Sequence, residues 1–490
     1  MKYVLSVDQS TQGTKSLLFD EHGTLINRYD LPHEQIINDK GWVSHNPEEI
    51  YVNTIKSIEQ LIKLSGINAD DITCMGITNQ RETSVMWDRA SGEAVCDAIV
   101  WQCNRAADIC TRYSSDDKEY VYKSTGIPLS PFFPAAKLSW IIENIDGVPE
   151  KIEREEICLG TVDTWLLYKF TNGESYKTDY SNASRTQLFN ISSLEWDQKI
   201  CDLFNIPLKL LPEVCDSDSL FGVTTAEGIF NRPIPIYSIM GDSHAALFGQ
   251  GCVDTGSAKA TYGTGTSVMM NIGEAPKFSS NGLITTIAWK RNKKICYAIE
   301  GNINYSGAVI TWLKNDLRVI ASPQETEKYA TEANPNDTTY LVPAFTGLGA
   351  PYWNDNAKAV FCGMSRLTGM PEIIKATLDS IAYQITDVVK AIESDVECRL
   401  NVLMVDGGAT KNNYLMKLQC NLLNSLVKKA LSEELSGIGV AYSAGISFGL
   451  YDENISSVLE REEFVPEMQE DKRNALYSGW KKAVKLAINS

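Results

Sequence analysis

No two of the twelve cysteines in this chain stand as a C-x-x-C pair; they are scattered, mostly in apolar company, at positions such as Cys74, Cys103, Cys158, Cys252, Cys362 and Cys420. That spread reads as reduced core thiols and sets aside a disulfide framework or a zinc site. No basic run stands out either, and the formal net charge is -17, from 45 basic and 62 acidic residues. Nucleic acid and anionic membrane surfaces are therefore poor partners, although backbone amides and a magnesium ion can still bind a phosphate locally. No stretch reaches the roughly 18 continuous apolar residues of a membrane span. Asp8 breaks the first apolar run too early for the core of a secretory leader. A cytoplasmic location is expected, and the sequon Asn182-Ala183-Ser184 is then a chance match. Low-complexity tracts and Pro/Ser-rich linkers are also missing, so disorder is not expected before the last few residues.

What is present is an ordinary globular composition, 43% hydrophobic and 22% charged, over 490 residues. One hydrophobic core stops growing well below that length, so two domains with a cleft between them are expected, over residues 1–250 and 251–490. The N-terminal stretch YVLSVDQSTQGTKSLLFD contains Gly13-Thr14-Lys15-Ser16 after an apolar run, which invites a phosphate-loop reading. A P-loop needs a second glycine and a following helix. Here the glycine is missing and KSLLFD reads as a strand, so the stretch is a hairpin. LINRYDL makes a third strand, residues 46–64 a helix, and ITCMGIT a strand running into Asn79-Gln80-Arg81-Glu82-Thr83. This order is that of the ribonuclease H-like fold of actin-like ATPases. It recurs after residue 250: SAKATYGTGTSVMMNIG is a second Gly/Thr hairpin, SGAVITWL opens a helix, and NVLMVDGGATKNNYLMKLQCNLL is strand, Gly-Gly turn and helix. The fold class is α/β, two actin-like domains flanking a central cleft.

The segments VDQSTQGTK, ITNQRET, AIVWQCNR, GTVDTWLLYKFT, TDYSNASRTQLFNI, MGDSHAALFGQ, TYGTGTS, VPAFTGLGAPYW, ATLDSIAYQ and VDGGATKNN together resemble the FGGY carbohydrate kinase family, in its glycerol-phosphorylating branch. They run in family order over essentially the whole chain. The resemblance implies ATP and Mg2+ as cofactors, a small polyol as partner, transfer of the γ-phosphoryl group to a terminal hydroxyl, and a homo-oligomer.

A primary alcohol must lose its proton as it attacks phosphorus, and a carboxylate within reach is the usual acceptor. Asp242 ends the apolar strand IPIYSIM at a helix start, where it reads either as an N-cap or, with the resemblance, as the general base. Asp8 lies inside an apolar strand, where an unpaired carboxylate is costly; the alternatives are a group satisfied by turn amides and, by resemblance, the aspartate that orders magnesium. Thr11, Gln12 and Gly13 would hold phosphates, with Lys15 near the nucleotide tail. Thr264 in the Gly263-Thr264-Gly265 turn, Gly307 and Thr311 at a helix start, and Gly408 and Asn412 in the Gly-Gly turn correspond to the family's nucleotide platform, with Thr311 standing where the family commonly has a glutamine. Arg81 and Glu82 would bind neighbouring hydroxyls of one polyol as donor fork and acceptor, or else form a surface ion pair. Trp101 would be an apolar wall or a core residue, and His244 is either a substrate contact or structural.

Three pocket positions depart from the family pattern: Phe132 for a tyrosine, Ser243 for a glutamine, Ser267 for a phenylalanine. Loss of the two larger side chains opens space, which leads to the expectation of a longer, four- or five-carbon alditol, with glycerol as the alternative. A ketose kinase or a non-catalytic ATP-binding relative fits the retained residues less well. The loop 225–232 lacks the Gly-Gly-Thr-Arg pattern tied to fructose 1,6-bisphosphate inhibition, and histidines occur only at 22, 33, 45 and 244, so neither that control nor an activating phosphohistidine is expected.

Overall fold

The computed structural model describes residues 1–489. The chain opens as an antiparallel meander of β1 (Tyr3–Gln9), β2 (Gly13–Phe19) and β3 (Leu25–Pro32). β1 is buried throughout, whereas β3 alternates half-buried with exposed, as a central strand and a wet edge should. Gly13 lets the start of β2 lie close against the end of β3, since a Cβ there would come within 2.5 Å of the Leu31 carbonyl oxygen. Helix α1 (Pro47–Ser65) follows, capped by Asn46, which accepts from the Glu48 and Glu49 amides, and ended by Gly66 in the left-handed region. β4 (Ile72–Asn79) returns parallel to β1, and beyond it lie β5 (Gly222–Thr224) and β6 (Ile234–Gly241), with β6 parallel to β4. The sheet order is β5-β6-β4-β1-β2-β3. The carboxyl ends of β1, β4 and β6 therefore share one edge, the place where α/β sheets bind ligands. Helix α2 (Asp242–Gly249) leaves β6 directly at that edge.

Two strands from before α1, Ile36–Ile37 and Val43–His45, join three from between β4 and β5, Ala98–Ile99, Ser84–Asp88 and Ile157–Thr161, in a separate five-stranded sheet backed by the helix Pro134–Asn144. It carries Trp101 and Phe132 to the flank of the cleft.

The second unit repeats the plan. β7 (Ser257–Tyr262) and β8 (Thr266–Gly273) form the hairpin, β9 (Ile284–Arg291) and β10 (Lys294–Ile303) extend it, and helices α3 (Gly307–Asn315) and α4 (Met370–Val396) follow. β11 (Val402–Asp406), helix α5 (Asn413–Leu423), β12 (Leu426–Ala430), helix α6 (Leu435–Phe448) and β13 (Arg461–Phe464) complete it. The order is β9-β10-β8-β7-β11-β12-β13, with β7, β11 and β12 parallel. The neighbour of β8 is β10 rather than β9, so the sequential meander of the first unit is not repeated strand for strand.

α6 belongs by sequence to 251–490 but packs on the first sheet. A Cβ on Gly76 of β4 would lie 2.6 Å from the Val440 carbonyl oxygen, and one on Gly439 only 1.9 Å from that of Ala245 in α2. One core cluster accordingly joins Val4, Cys74 and Ala245 to Val440, and also takes in Met269 and Met404 of the second sheet. All twelve cysteines are free, and no helix among the described residues is long and apolar enough to cross a membrane.

Candidate active site

The shared edge of the first sheet and the β7–β8 hairpin of the second enclose a cavity of about 350 Å³. From the first unit Asp8, Lys15, Asp242 and Ser243 face it; from the second, Ser267 and the two glycines flanking Thr264. Five of the residues singled out by sequence, Asp8, Lys15, Asp242, Ser243 and Ser267, thus meet around one space, with the glycines that flank Thr264 beside them.

Asp242 is the first residue of α2, and the cap position falls on Gly241, so the N-cap reading is replaced by a carboxylate on the opening turn. Its Oδ1 accepts from the Ser243 amide at 2.6 Å and pairs with Arg81 Nε at 3.1 Å. Its Oδ2 receives no donor among the described residues, and the side chain is 37% exposed. One oxygen is fixed and the other is open to the cavity.

Asp8 is 6% exposed, and no described group donates a hydrogen bond to it, so the alternative of satisfaction by turn amides does not hold. Burial lifts its pKa to about 7, with Asp242 and Glu434 adding to the rise and Lys15 opposing it. A buried carboxylate without donors beside a cavity fits a hydrated divalent cation, whose waters supply the missing donors. Among the described residues no three His, Cys, Asp or Glu side chains converge as a metal cage. Lys15, expected on the nucleotide tail, is tethered to Glu434 at 2.8 Å, and Arg28 contacts the same carboxylate.

Arg81 and Glu82 stand at the end of β4 and point apart, as Glu82 has a left-handed backbone, φ 61°. The surface ion-pair alternative fails, because both are buried or nearly so, in a network centred on Glu300 of β10. Arg81 donates to both Glu300 oxygens at 3.1 and 2.8 Å, Arg185 lies 3.0 Å from Glu300, and Arg185 Nε donates to Glu82 at 2.5 Å. Burial alone would raise the Glu300 pKa; Arg81 and Arg185 hold it well below the usual carboxylate range. Ser267 Oγ donates to the same carboxylate at 3.0 Å. His244 is fully buried beside this network, its Nε2 3.2 Å from Thr286 Oγ1, and burial together with Arg81 and Arg185 holds it neutral.

Trp101 is half-buried and donates its indole N–H to Thr11 Oγ1 at 2.9 Å, with its ring 5.4 Å from that of Phe132. Thr11 is therefore engaged with the aromatic wall through its hydroxyl, while Gln12 beside it is exposed. On the other side, the amides of Gly307, Ser306 and Ala308 bond the Gly263 and Thr264 carbonyls at 2.9 to 3.0 Å. Gly307 has no room for a Cβ, which would stand 2.6 Å from Gly263 O. Thr311 is exposed one turn further on, and Gly408 faces open space. Asn412 is committed to structure: Oδ1 caps α5 by accepting from Leu415 N at 2.9 Å, and Nδ2 donates to Thr326.

Glu300, Arg185, Lys259 and Asp406 also belong to the site, although no fixed spacing marks them in the sequence. The signal that marked Asp8, a charge inside an apolar strand, also marks Lys259 in SAKATY and Asp406 at the end of VLMVD. Asp406 accepts from Gln250 at 2.7 Å and Thr261 at 3.2 Å.

Residues 3–249 match the model of the N-terminal domain of the FGGY family of carbohydrate kinases, and residues 258–448 that of its C-terminal domain. Glycerol kinase 2 of Thermotoga maritima is 44% identical over 492 residues, covering 100% of this chain and 99% of the relative. The glycerol kinase of Staphylococcus haemolyticus is 42% identical, covering 99% and 98%. Among solved structures, a glycerol kinase of Plasmodium falciparum with ADP superposes with a TM-score of 0.95 at 35% identity, covering 100% of this chain and 98% of that one. A xylulose kinase from Lactobacillus acidophilus, at 20% identity and TM-score 0.88, shares the fold.

Proposed function

Since the chain belongs to the FGGY family of carbohydrate kinases, ATP-dependent phosphotransferases that use magnesium, we propose that it phosphorylates a terminal hydroxyl of glycerol, with Asp242 as general base. The observation that carries the choice of glycerol is full-length identity of 42 to 44% to relatives named glycerol kinase. In this reading the acceptor hydroxyl gives its proton to Asp242 Oδ2 while Arg81 and the Ser243 amide fix Oδ1. The hydroxyl oxygen bonds to the γ-phosphorus as the bond to the β,γ-bridging oxygen breaks, and ADP leaves. Asp8 would hold magnesium through its waters, and the ion would supply positive charge against the phosphates. Arg81 and Glu82, oriented by Glu300 and Arg185, bind the remaining hydroxyls, and Trp101 and Phe132 cover the carbon chain. The Gly263–Gly265 turn, Gly307 and Gly408 make the nucleotide side, where small residues let the backbone approach phosphate and base.

One observation favours a second reading, a four- or five-carbon alditol: Ser243 and Ser267 both face the 350 Å³ cavity with short side chains and hydroxyls. A coupled ADP-release assay across glycerol, erythritol, threitol, ribitol, xylitol and arabitol separates the two. The highest kcat/KM is expected for glycerol; a longer alditol ahead of it by about tenfold, a difference of about 1.4 kcal/mol in transition-state binding, overturns the assignment. Ser267→Phe and Ser243→Gln should then move preference toward glycerol.

A further inference from the structure

Lys259 is a charged group on the cavity wall that the reaction above leaves without a task. On β7, alternation sends Ala258, Ala260 and Tyr262 into the core of the second unit and turns Lys259 and Thr261 to the opposite face, toward α2. The Lys259 side chain is 2% exposed and lines the same cavity as Asp242 and the Gly263–Gly265 turn. An ammonium has three N–H donors. One goes to Thr261 Oγ1 at 3.1 Å, and Lys259 forms no ion pair among the described residues. Lys15, the other amine of this cavity, is by contrast tied to Glu434 at 2.8 Å. Asp406, Glu300 and Asp242 lie around Lys259 at longer range, and Arg81 opposes it. A buried ammonium with unspent donors destabilises the fold unless something arrives to accept from it.

We infer that Lys259 is a further catalytic residue, whose two uncommitted donors bind the non-bridging oxygens of the phosphoryl group in transit from ATP to the polyol. The inference rests on the phosphotransfer reading above. As the acceptor oxygen–phosphorus bond forms and the phosphorus–bridging-oxygen bond breaks, the acceptor proton goes to Asp242 and the bonding electrons stay with ADP. The negative charge of the moving group is then spread over its three equatorial oxygens. A preorganised cation aimed at those oxygens stabilises that state more than bound ADP. In this site Lys259 supplies it from a rigid central strand, opposite the unit that carries the base.

The test is equilibrium binding of ADP and magnesium, with and without aluminium fluoride as the mimic of the phosphoryl group in flight. In Lys259→Met, affinity for ADP should stay within about threefold of wild type, while affinity for ADP with aluminium fluoride falls by about 100-fold or more. The unfolding temperature of that variant should be unchanged or higher, since a buried charge is gone. Lys259→Arg should recover at least about tenfold of the lost affinity, because charge and donors remain. Equal loss for both ligands, loss for neither, or an arginine variant as weak as the methionine one overturns the inference. Should the methionine variant not fold, Lys259→Gln is read in the same way. These titrations need no polyol, so failure of the wild type to phosphorylate glycerol refutes the substrate assignment, while the role of Lys259 is decided by the binding data.

Discussion

Asp242 and Lys137 show how differently a single charged side chain can be used. Asp242 has one oxygen fixed by Arg81 and the Ser243 amide and the other open. Asp242→Asn keeps the size and loses the base, so kcat should fall about 10²- to 10⁴-fold with KM for the polyol changed by less than about threefold, measured by coupled ADP release. A near-wild-type kcat would remove Asp242 from the base role. Lys137 is fully buried beneath Phe132, with its ammonium donating to the Phe132 carbonyl, and burial pushes its pKa down to about 7. The unfolded chain holds that proton up to about pH 10. Between about pH 7 and 10 the unfolded state therefore binds more protons, and the contribution of Lys137 to stability rises with pH through that window and is lost as pH falls to 7. Lys137→Met removes the penalty. Its urea midpoint should exceed the wild-type value at pH 6 by the equivalent of a few kcal/mol, at about 1.4 kcal/mol for each pH unit that separates the folded and unfolded pKa values, and the gap should close toward about pH 10.

At the scale of elements, the position of Asp242, the proposed base, depends on two helices that touch through glycine. α2 carries Asp242 at its first residue and Ala245 one turn later; Gly439 of α6 lies against the Ala245 carbonyl, where a Cβ would stand 1.9 Å away. Neither backbone can yield without moving its helix. Gly439→Ala should cost about 1 to 3 kcal/mol in urea unfolding and lower kcat along with it, because the shift is passed to Asp242. Loss of stability with unchanged kcat would show that α2 holds its place independently of α6. The same glycine contacts explain why α6, late in the chain, completes the first sheet: an apolar helix of small residues can lie closer to β4 and α2 than any bulkier one.

Across the whole molecule, the side of the site proposed to bind the polyol is held by charge that crosses the cleft. Glu300 of the second unit joins Arg81 at the end of β4 to Arg185, which in turn holds Glu82. Removing the centre leaves two buried guanidinium groups short of a partner. Glu300→Ala should therefore destabilise by about 3 to 5 kcal/mol and raise KM for the polyol, read by calorimetry and by initial rates; a small change in both would mean that Arg81 is oriented without the second unit.

The strands, hairpins and helix starts were legible in the sequence because they rest on local signals: short apolar runs, a Pro-Glu-Glu first turn in α1, glycines at turns. Asp8 and Asp242 were legible because a carboxylate at the end of an apolar strand stands out against its neighbours. The separate five-stranded sheet was not, since its strands are as short as two residues and are paired by segments far apart in the chain. Nor was the network around Glu300, whose members lie at positions 81, 82, 185 and 300 with no fixed spacing. By itself the sequence determined the alternation of elements and the chemical types available for phosphoryl transfer, because propensity, capping and hydrophobic period act over a few residues. Only the tertiary structure decided that Arg81 is clamped from the opposite unit, that α6 belongs to the first core, that Asn412 is spent on a helix cap, and that Lys259 faces the cavity with two donors unspent. Those outcomes depend on which distant groups share a buried, weakly screened space, and that is set by packing.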